Sequence, residues 1–231
     1  MFVISTDMIY PTSHRVSTYL IQQCANDIDV SKLPMCLNQP TGNFFTDPWI
    51  IKKEYKNTKW EKLLQSLSEP IGQARLIRLK PATCYHNHAD IDDRYHLNIS
   101  GEMNYLVDID NNCIHSLEQD GLWYYMDAGK VHSAVNFGRY DRIQMVVRKL
   151  LPCHTLQNPV KIEIVSKNLS VDDARYIFDN SISPWLNRSS KDKKITDFSH
   201  CPEKVNFLCE ATHVSTLKKI IPTGLEIIYD R

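Results

Sequence analysis

The fold class is decided by residues 94–126, which read RYHLNISGEMNYLVDIDNNCIHSLEQDGLWYYM. Four segments of strand length follow one another here, at 94–99, 103–108, 112–116 and 122–126. The breaks between them contain Ser-Gly, Asp-Asn-Asn and Asp-Gly, which are turn signals. Short strands at such close spacing leave little room for crossover helices. The pattern therefore predicts a β-sandwich or jelly roll and argues against βαβ units.

The strand pattern continues on both sides of this stretch. Residues 73–80 precede it, and residues 131–137 and 141–149 follow it, each with the length and composition of a strand. Glycine is scarce, with 7 in the whole chain, and no glycine-rich phosphate-binding loop is present. We therefore expect seven short strands in one β-rich core that runs from about residue 73 to residue 152.

The two flanks of this core have mixed character. Apolar residues at helical spacing predict N-terminal helices over 14–28 and 58–68. After Pro152 the patterns predict a strand at 160–165, a helix at 170–179, an exposed lysine-rich loop at 187–197, a helix near 213–220 and a strand near 225–229. The expected parts are an N-terminal helical flank (1–72) packing on the barrel, a jelly-roll catalytic core (73–152) and a C-terminal α/β extension (153–231).

The composition excludes several classes of function. The 231 residues include 27 basic and 27 acidic side chains, and the two signs are interleaved along the chain. This balance argues against nucleic-acid or membrane partners that are held by charge.

No apolar run approaches the roughly 18 residues of a spanning helix, and no leader pattern is visible at the N-terminus. The seven cysteines include no C-x-x-C pair and predict mostly buried free thiols, hence a cytoplasmic protein.

Residues 86–96 concentrate metal-binding side chains, with three histidines and three aspartates in eleven positions. On a strand, residues i and i+2 face the same side, so His88 and Asp90 are expected to present an imidazole and a carboxylate together. His132 is the best third ligand, because it follows an Asp-Ala-Gly turn and opens a predicted strand. Two histidines and one carboxylate are the ligand set of non-haem Fe(II) oxygenases, which leaves positions for a co-substrate and O₂.

Arg142 supports this interpretation. It lies ten residues after His132, across the turn at Gly138, and is expected on the antiparallel neighbour of the histidine's strand. Its apolar flanks predict a half-buried strand, where a guanidinium needs an anionic partner such as the far carboxylate of 2-oxoglutarate. The alternative is a surface arginine that pairs with Asp141 or Asp127.

Residues 75–90, which read RLIRLKPATCYHNHAD, show a resemblance to a known family. This run resembles the start of the catalytic core in the aspartyl/asparaginyl β-hydroxylase family, and looks closest to the branch of L-proline cis-4-hydroxylase. The family pattern continues with R-x-H, present as Arg94 and His96, and with a distal histidine followed ten residues later by arginine. The resemblance covers about residues 73–150.

The resemblance implies a double-stranded β-helix (jelly roll, cupin-like), Fe(II), 2-oxoglutarate as co-substrate, and hydroxylation of an amino acid or an amino-acid side chain in a peptide or protein. Its partners would be O₂ and a small-molecule or peptide substrate, with no catalytic residue beyond the metal centre. By position, the metal ligands are His88, Asp90 and His132, and the cofactor-binding residues are Arg142, His96 and, as a weaker candidate, Arg94.

Two other interpretations remain open. Residues 121–136 resemble the second cupin motif, with Asp127 where proline is usual. In that case His86, His88 and His132 would hold a metal, and 2-oxoglutarate would not be needed. The chain is alternatively a barrel that binds a small ligand or partner without catalysis. Metal content distinguishes this last interpretation from the other two, because a binding module does not need three convergent ligands.

Overall fold

The computed structural model describes residues 7–201 and 204–230. Residues 1–6, on which the expectation about a leader partly rests, lie outside the described residues. In the part of the chain that the structure describes, no helix is both long enough and apolar enough to cross a membrane.

The architecture is mainly β. The strands are β1 (Ile9–Arg15), β2 (Met35–Cys36), β3 (Asn38–Gln39), β4 (Ile50–Ile51), β5 (Ile71–Leu79), β6 (Thr83–Cys84), β7 (Arg94–Ser100), β8 (Asn104–Asp108), β9 (Cys113–Ser116), β10 (Leu122–Met126), β11 (His132–Asn136), β12 (Arg142–Lys149), β13 (Pro159–Ser166), β14 (Ile195–Cys201), β15 (Lys204–Glu210) and β16 (Leu225–Asp230). The α-helices are α1 (Thr18–Asn26), α2 (Lys59–Gln65), α3 (Val171–Ile177), α4 (Ser183–Lys191) and α5 (Val214–Ile220). A π-helical turn, Phe178–Ile182, joins α3 to α4.

Two antiparallel sheets form a jelly roll. The large sheet has the order β1-β10-β7-β12-β5-β2, and the small sheet has the order β6-β11-β8-β9. Along the chain, β5 to β12 alternate between the two sheets, except that β8 and β9 are neighbours in the small one. This alternation is the double-sheet arrangement of a jelly roll, so the expected fold class is confirmed.

Side-chain alternation along β12 separates the barrel interior from the outer core. Met145 and Val147 face outward into an apolar cluster that includes Trp60 of α2. Gln144 and Val146 face the opposite side and line the interior. The N-terminal helices therefore cover the outer face of the large sheet, and the inner face remains available for a site.

The predicted core strands are present, and each boundary lies within two residues of the expectation. The N-terminal prediction is less accurate, because residues 9–15 form a strand that pairs with β10. The helix expected over 14–28 begins at Thr18, where the Ser17 side chain caps it by accepting a hydrogen bond from the Leu20 amide. β1 is an edge strand with polar side chains and Pro11, so it lacks the apolar alternation of an internal strand.

The exposed loop expected at 187–197 is wrong. Helix α4 continues to Lys191, and β14 begins at Ile195, which is fully buried. Asn187 is also buried, and it packs so closely on Gly129 that a Cβ at that glycine would lie 2.4 Å from the Asn187 side chain. Lys191 pairs with Asp127 at 2.6 Å, so it is not a freely solvated lysine. Asn187 is buried here because it fits against the barrel and its side chain donates a hydrogen bond to Asp93.

The C-terminal extension has its own sheet, with the order β14-β15-β13-β16. Its apolar cluster includes Phe178 and Phe207, and also takes in Phe45, Ile91 and Leu151 from earlier parts of the chain. The extension and the barrel therefore share a continuous core.

The cysteines correct one further expectation. The six whose side chains the structure describes are free, and only Cys24 and Cys209 are buried. Cys84, Cys113 and Cys153 are exposed, so the expectation of mostly buried thiols is wrong. Cys84 and Cys113 lie on β6 and β9, the two edges of the small sheet, where one side of the strand is uncovered.

Candidate metal centre

The structure brings His88, Asp90 and His132 together. One possible ligand atom from each residue lies within 4.8 Å of the others, and no other such group of His, Cys, Asp and Glu occurs among the described residues. The two imidazole centroids are 4.4 Å apart. The Asp90 Oδ2 atom lies 3.9 Å from His132 Nε2. Residues separated by about forty positions therefore converge on one point.

Main-chain pairing places the ligands. His132 is the first residue of β11, and His88 lies opposite it in an isolated antiparallel bridge. The His88 amide donates to the His132 carbonyl at 3.0 Å, and the His132 amide donates back at 2.8 Å. The Asp90 amide donates to the Ala128 carbonyl at 2.7 Å. The expectation of a regular strand through both His88 and Asp90 is wrong, but the bridge to β11 holds both residues beside His132.

Each histidine is held in one tautomer. His88 Nδ1 lies 2.9 Å from the His86 carbonyl oxygen, and His132 Nδ1 lies 2.8 Å from the Lys130 carbonyl oxygen. A carbonyl oxygen only accepts, so Nδ1 carries the proton in both rings. The Nε2 lone pairs are then free for a metal, with the second nitrogen oriented by the backbone as metal-ligating histidines require.

The protonation states also suit metal binding. Burial acts to raise the pKa of Asp90, but the Arg94 guanidinium and the nearby His132 and His88 outweigh it and hold this pKa well below its usual range. Burial lowers the pKa of His132 to about 4, although Asp90 opposes the shift. At neutral pH the carboxylate is therefore ionised and the imidazole neutral, as metal ligation requires.

The His86 side chain does not join the group formed by His88, Asp90 and His132. Its Nε2 atom faces Asp179 Oδ2 at 3.7 Å, and its side chain is 55% exposed. The structure thus assembles the set with Asp90 and does not assemble the His86 set of the cupin interpretation.

A cavity of about 900 Å³ opens onto this group. Its volume lies in the range of small-molecule sites. The walls come from all three parts of the chain and include Leu33 and Pro34 from the N-terminal flank, Ile77, His96, Gln144 and Val146 from the barrel, and Val171, Arg175, Phe178 and Asp179 from the extension.

His96 and Gln144 place unpaired polar atoms on the cavity wall. His96 Nδ1 lies 3.2 Å from Gln144 Oε1, while His96 Nε2 and Gln144 Nε2 are buried without hydrogen-bond partners. Burial lowers the pKa of His96 to about 3, and the hydrogen bond to Gln144 only partly opposes this, so the ring is neutral. Buried polar atoms without partners are rare in proteins. Two neighbouring ones on a cavity wall indicate a place for a polar ligand.

Arg142 is buried, but its expected position was wrong. β11 and β12 belong to different sheets, so Arg142 does not lie on the neighbour of the histidine's strand. After the Gly138 turn the chain crosses from the small sheet to the large sheet. A prediction that treats this turn as a simple hairpin does not include the crossing. From the large sheet, Nη1 donates to the carbonyl oxygens of Tyr105 at 2.8 Å and Val135 at 3.1 Å, both in the small sheet.

Within the part of the chain that the structure describes, no carboxylate accepts a hydrogen bond from the guanidinium of Arg142. Its Nη2 donates to Gln144 Oε1 at 2.7 Å, and only 3% of the residue is exposed. Burial lowers its pKa to about 10. The surface alternative fails, because Asp141 pairs with Arg78 and Asp127 with Lys191. Arg142 does not itself line the cavity; Gln144, to which it is bonded, does.

Arg94 lines the cavity, but its donors are directed at two carboxylates. Nη2 lies 2.8 Å from Asp90 Oδ1, and Nη1 lies 2.5 Å from Asp92 Oδ1. The structure thus places Arg94 against a candidate metal ligand. A contact between Arg94 and a co-substrate stays a prediction.

Sequence reasoning missed two contributors to the site. Gln144 shares a face of β12 with Arg142, so the period of two along that strand was an available signal. Asp179, in the π-helical turn, accepts from the Ala89 amide at 2.7 Å through its main-chain oxygen. This contact links residues about ninety positions apart, and no local sequence pattern predicts it.

No protein-family model matches the sequence, and no curated protein matches it either. Among solved structures, the chain is similar to the crystal structure of a Pseudomonas putida prolyl-4-hydroxylase, with 14% identity over 62% of this chain and 92% of that one and a TM-score of 0.42. It is also similar to the viral collagen prolyl hydroxylase vCPH from Paramecium Bursaria Chlorella virus-1, solved as a 2OG complex, with 9% identity over 62% and 96% of the two chains and a TM-score of 0.41.

Proposed function

We propose that this chain is an Fe(II)/2-oxoglutarate-dependent dioxygenase that hydroxylates an amino acid, or an amino-acid side chain in a peptide or protein. The observation that carries the proposal is the convergence of His88, Asp90 and His132 on a cavity, with both Nε2 atoms free. Two histidines and a carboxylate on one side of a metal are the ligand set for this chemistry. The resemblance of residues 75–90 to the aspartyl/asparaginyl β-hydroxylase family supports the same assignment.

The residues present fit both groups that the proposal requires. Fe(II) would be held by His88, Asp90 and His132. The far carboxylate of 2-oxoglutarate would be bound by Arg142, which lies directly behind Gln144 of the cavity wall and forms an ion pair with no carboxylate of the described residues. The unpaired nitrogens of Gln144 and His96 offer further polar contacts to the same molecule.

Iron and 2-oxoglutarate, when bound, supply oxidation of a substrate C–H bond by O₂ with release of succinate and CO₂. The chain would hold the metal ligands in position and shield the reacting atoms from water. Backbone carbonyls fix the two imidazoles, and Arg94 fixes the Asp90 carboxylate. Apolar side chains on the cavity wall, such as Ile77, Val146 and Phe178, limit the access of water to the reacting atoms.

The test uses the whole protein under anaerobic conditions. Addition of Fe(II) and 2-oxoglutarate is expected to give the weak visible charge-transfer band of the chelate. Subsequent exposure to air with a panel of amino acids and peptides is expected to release succinate in the presence of the correct substrate. A protein that binds iron but gives no such band would favour the metal cupin that does not use 2-oxoglutarate, and a protein that binds no metal would favour the non-catalytic barrel.

A matched pair of variants tests the ligand set. Asp90→Ala is expected to abolish Fe(II) binding, because it removes the only carboxylate ligand, whereas His86→Ala is expected to retain it. Metal content after anaerobic loading and desalting measures both. Loss of iron in His86→Ala with retention in Asp90→Ala would establish the His86 set instead.

A further inference from the structure

Four side chains of alternating charge form a line that ends at Asp90. We call Arg148, Asp92, Arg94 and Asp90 the charge chain. Arg148 Nε donates to Asp92 Oδ2 in a very short hydrogen bond. The other Asp92 oxygen lies 2.5 Å from Arg94 Nη1. Arg94 then holds both oxygens of Asp90, with Nη2 at 2.8 Å from Oδ1 and Nε at 3.3 Å from Oδ2.

The far end of the charge chain is fixed in the interior. Asp92 is 1% exposed, and neither it nor Arg148 lines the cavity. The Arg148 guanidinium lies 4.1 Å from the ring centroid of Phe44 and 4.5 Å from that of Phe45. Phe45 in turn contacts Phe198 of β14, with ring centroids 5.8 Å apart. Aromatic contacts from the two flanks thus hold the arginine that anchors Asp92.

The strand register explains why Asp92 is needed. Arg94 and Arg148 are direct partners across β7 and β12, and like charges in such a pair repel each other. Asp92 lies between the two guanidiniums, with a hydrogen bond from Arg148 and an ion pair with Arg94. Without it, Arg94 would be free to turn away from Arg148, and the orientation of the Asp90 carboxylate would no longer be fixed.

We propose that Asp92 and Arg148 are positioning residues for the metal ligand Asp90, acting through Arg94; this inference rests on the proposed function. The two residues touch neither the metal position nor the cavity. Their effect is to present the Asp90 carboxylate in a single orientation, as carboxylates and carbonyls in outer shells orient metal ligands elsewhere.

Asp93 provides a matched control. It is also a buried carboxylate, but its side chain bonds to Tyr125, Asn187 and Lys191 and makes no hydrogen bond or ion pair with Arg94 or Arg148. Asp92→Asn and Asp93→Asn therefore remove similar buried charges from adjacent positions. Only the first breaks the charge chain.

The experiment titrates Co(II) into the metal-free whole protein and follows heat and the visible d–d spectrum, with thermal midpoints measured separately. Asp92→Asn is expected to weaken Co(II) binding by about 10- to 100-fold and to alter the spectrum. Asp93→Asn is expected to lower the thermal midpoint while leaving the Co(II) affinity and spectrum unchanged. If Asp92→Asn does not fold, the double variant Asp92→Asn/Arg148→Gln replaces it, because it removes one charge of each sign and leaves Arg94 paired with Asp90 alone.

An affinity and spectrum in the Asp92 variant equal to those of the unmodified protein would overturn the inference and leave the proposed function intact. Equal weakening in the Asp92 and Asp93 variants would also overturn it. Failure of the unmodified protein to bind Co(II) would instead overturn the proposed function, and the inference with it.

Discussion

Arg142 is a buried cation whose three hydrogen-bond acceptors are all uncharged. Two main-chain oxygens fix Nη1, and the third contact, from Nη2, is to the Gln144 side chain of the cavity wall. Under the proposed function, the carboxylate of 2-oxoglutarate would take the place of this third contact. Such a residue raises the affinity for an anion strongly, because the ligand removes an uncompensated charge from the interior.

We expect Arg142→Ala to weaken 2-oxoglutarate binding by about 2–5 kcal/mol, because a carboxylate bound there would lose its charged partner. Calorimetric titration of the Fe(II)-loaded protein under anaerobic conditions measures this change. Arg139→Ala, at an exposed arginine in the preceding turn, is the control and should leave the affinity unchanged. Unaltered binding in Arg142→Ala would remove this residue from the co-substrate site.

His96 gives a prediction for pH. Burial lowers its pKa from 6.5 to about 3, so the folded protein does not bind this proton until the pH approaches 3, whereas the unfolded chain binds it near 6.5. The free energy of unfolding is therefore expected to decrease as the pH falls through that interval, with up to about 1.4 kcal/mol per pH unit from this group.

Urea unfolding at several pH values between 7.5 and 4 measures this effect in the unmodified protein and in His96→Gln. The variant should have the shallower pH dependence, because it lacks the proton-binding group. Identical slopes in the two proteins would show that His96 is accessible to protons in the folded state.

At the scale of elements, the contact between α4 and the barrel is the one that the sequence did not show. Asn187 Nδ2 donates to Asp93 Oδ1 at 3.1 Å, and both residues are buried. Asn187→Ala removes this bond and leaves space against Gly129, so we expect a loss of about 1–3 kcal/mol in the free energy of unfolding.

Denaturant unfolding of Asn187→Ala checks that value. Arg188→Ala is the control on the same helix, because Arg188 is exposed and should change stability by less than about 0.5 kcal/mol. Equal effects of the two substitutions would mean that α4 does not pack on the barrel as described.

The elements that could be predicted are those whose own residues show the apolar pattern of the element and the turns that bound it. β10 was predicted to the residue because the Leu122–Met126 run is bounded by an Asp-Gly turn and a second turn at Asp127. The convergence of His88, Asp90 and His132 was also accessible, because the concentration of metal-binding residue types at 86–96 and the place of His132 after the Asp-Ala-Gly turn indicate it, although residues 88–90 do not form a strand. The position of Arg142 was not, since it depends on which sheet the chain enters after the Gly138 turn. Asn187 was missed because burial of a polar residue depends on a partner, Asp93, about ninety positions away.

On the scale of the whole molecule, apolar packing and ion pairs join the barrel to the extension. The barrel and the extension share an apolar cluster that contains Ile91, Leu151 and Phe178. Lys191 of α4 pairs with Asp93 and Asp127 of the barrel. Neither part buries its apolar residues fully without the other, so their stabilities are coupled.

We therefore expect equilibrium unfolding in urea to be a single transition. Fluorescence of the unmodified protein, which also reports on Trp49, Trp60 and Trp123, is compared with that of a Trp185→Phe variant, which lacks the tryptophan of α4. Far-UV circular dichroism provides the third probe. Coincident midpoints are the expected result, and a separate transition seen only through Trp185 would show that the extension unfolds as an independent unit.

One link between the extension and the candidate metal-binding segment is formed by main-chain atoms on both sides, the Ala89 amide and the Asp179 carbonyl. Such a bond survives substitution of either side chain. Val171 and Arg175 of α3 line the cavity and are exposed, so they are free to diverge while His88, Asp90 and His132 stay in place, whereas Phe178 belongs to the buried core. For protein engineering, this makes positions 171 and 175 natural sites for a focused library, in which the preference for the proposed substrate is varied and the proposed metal site is retained.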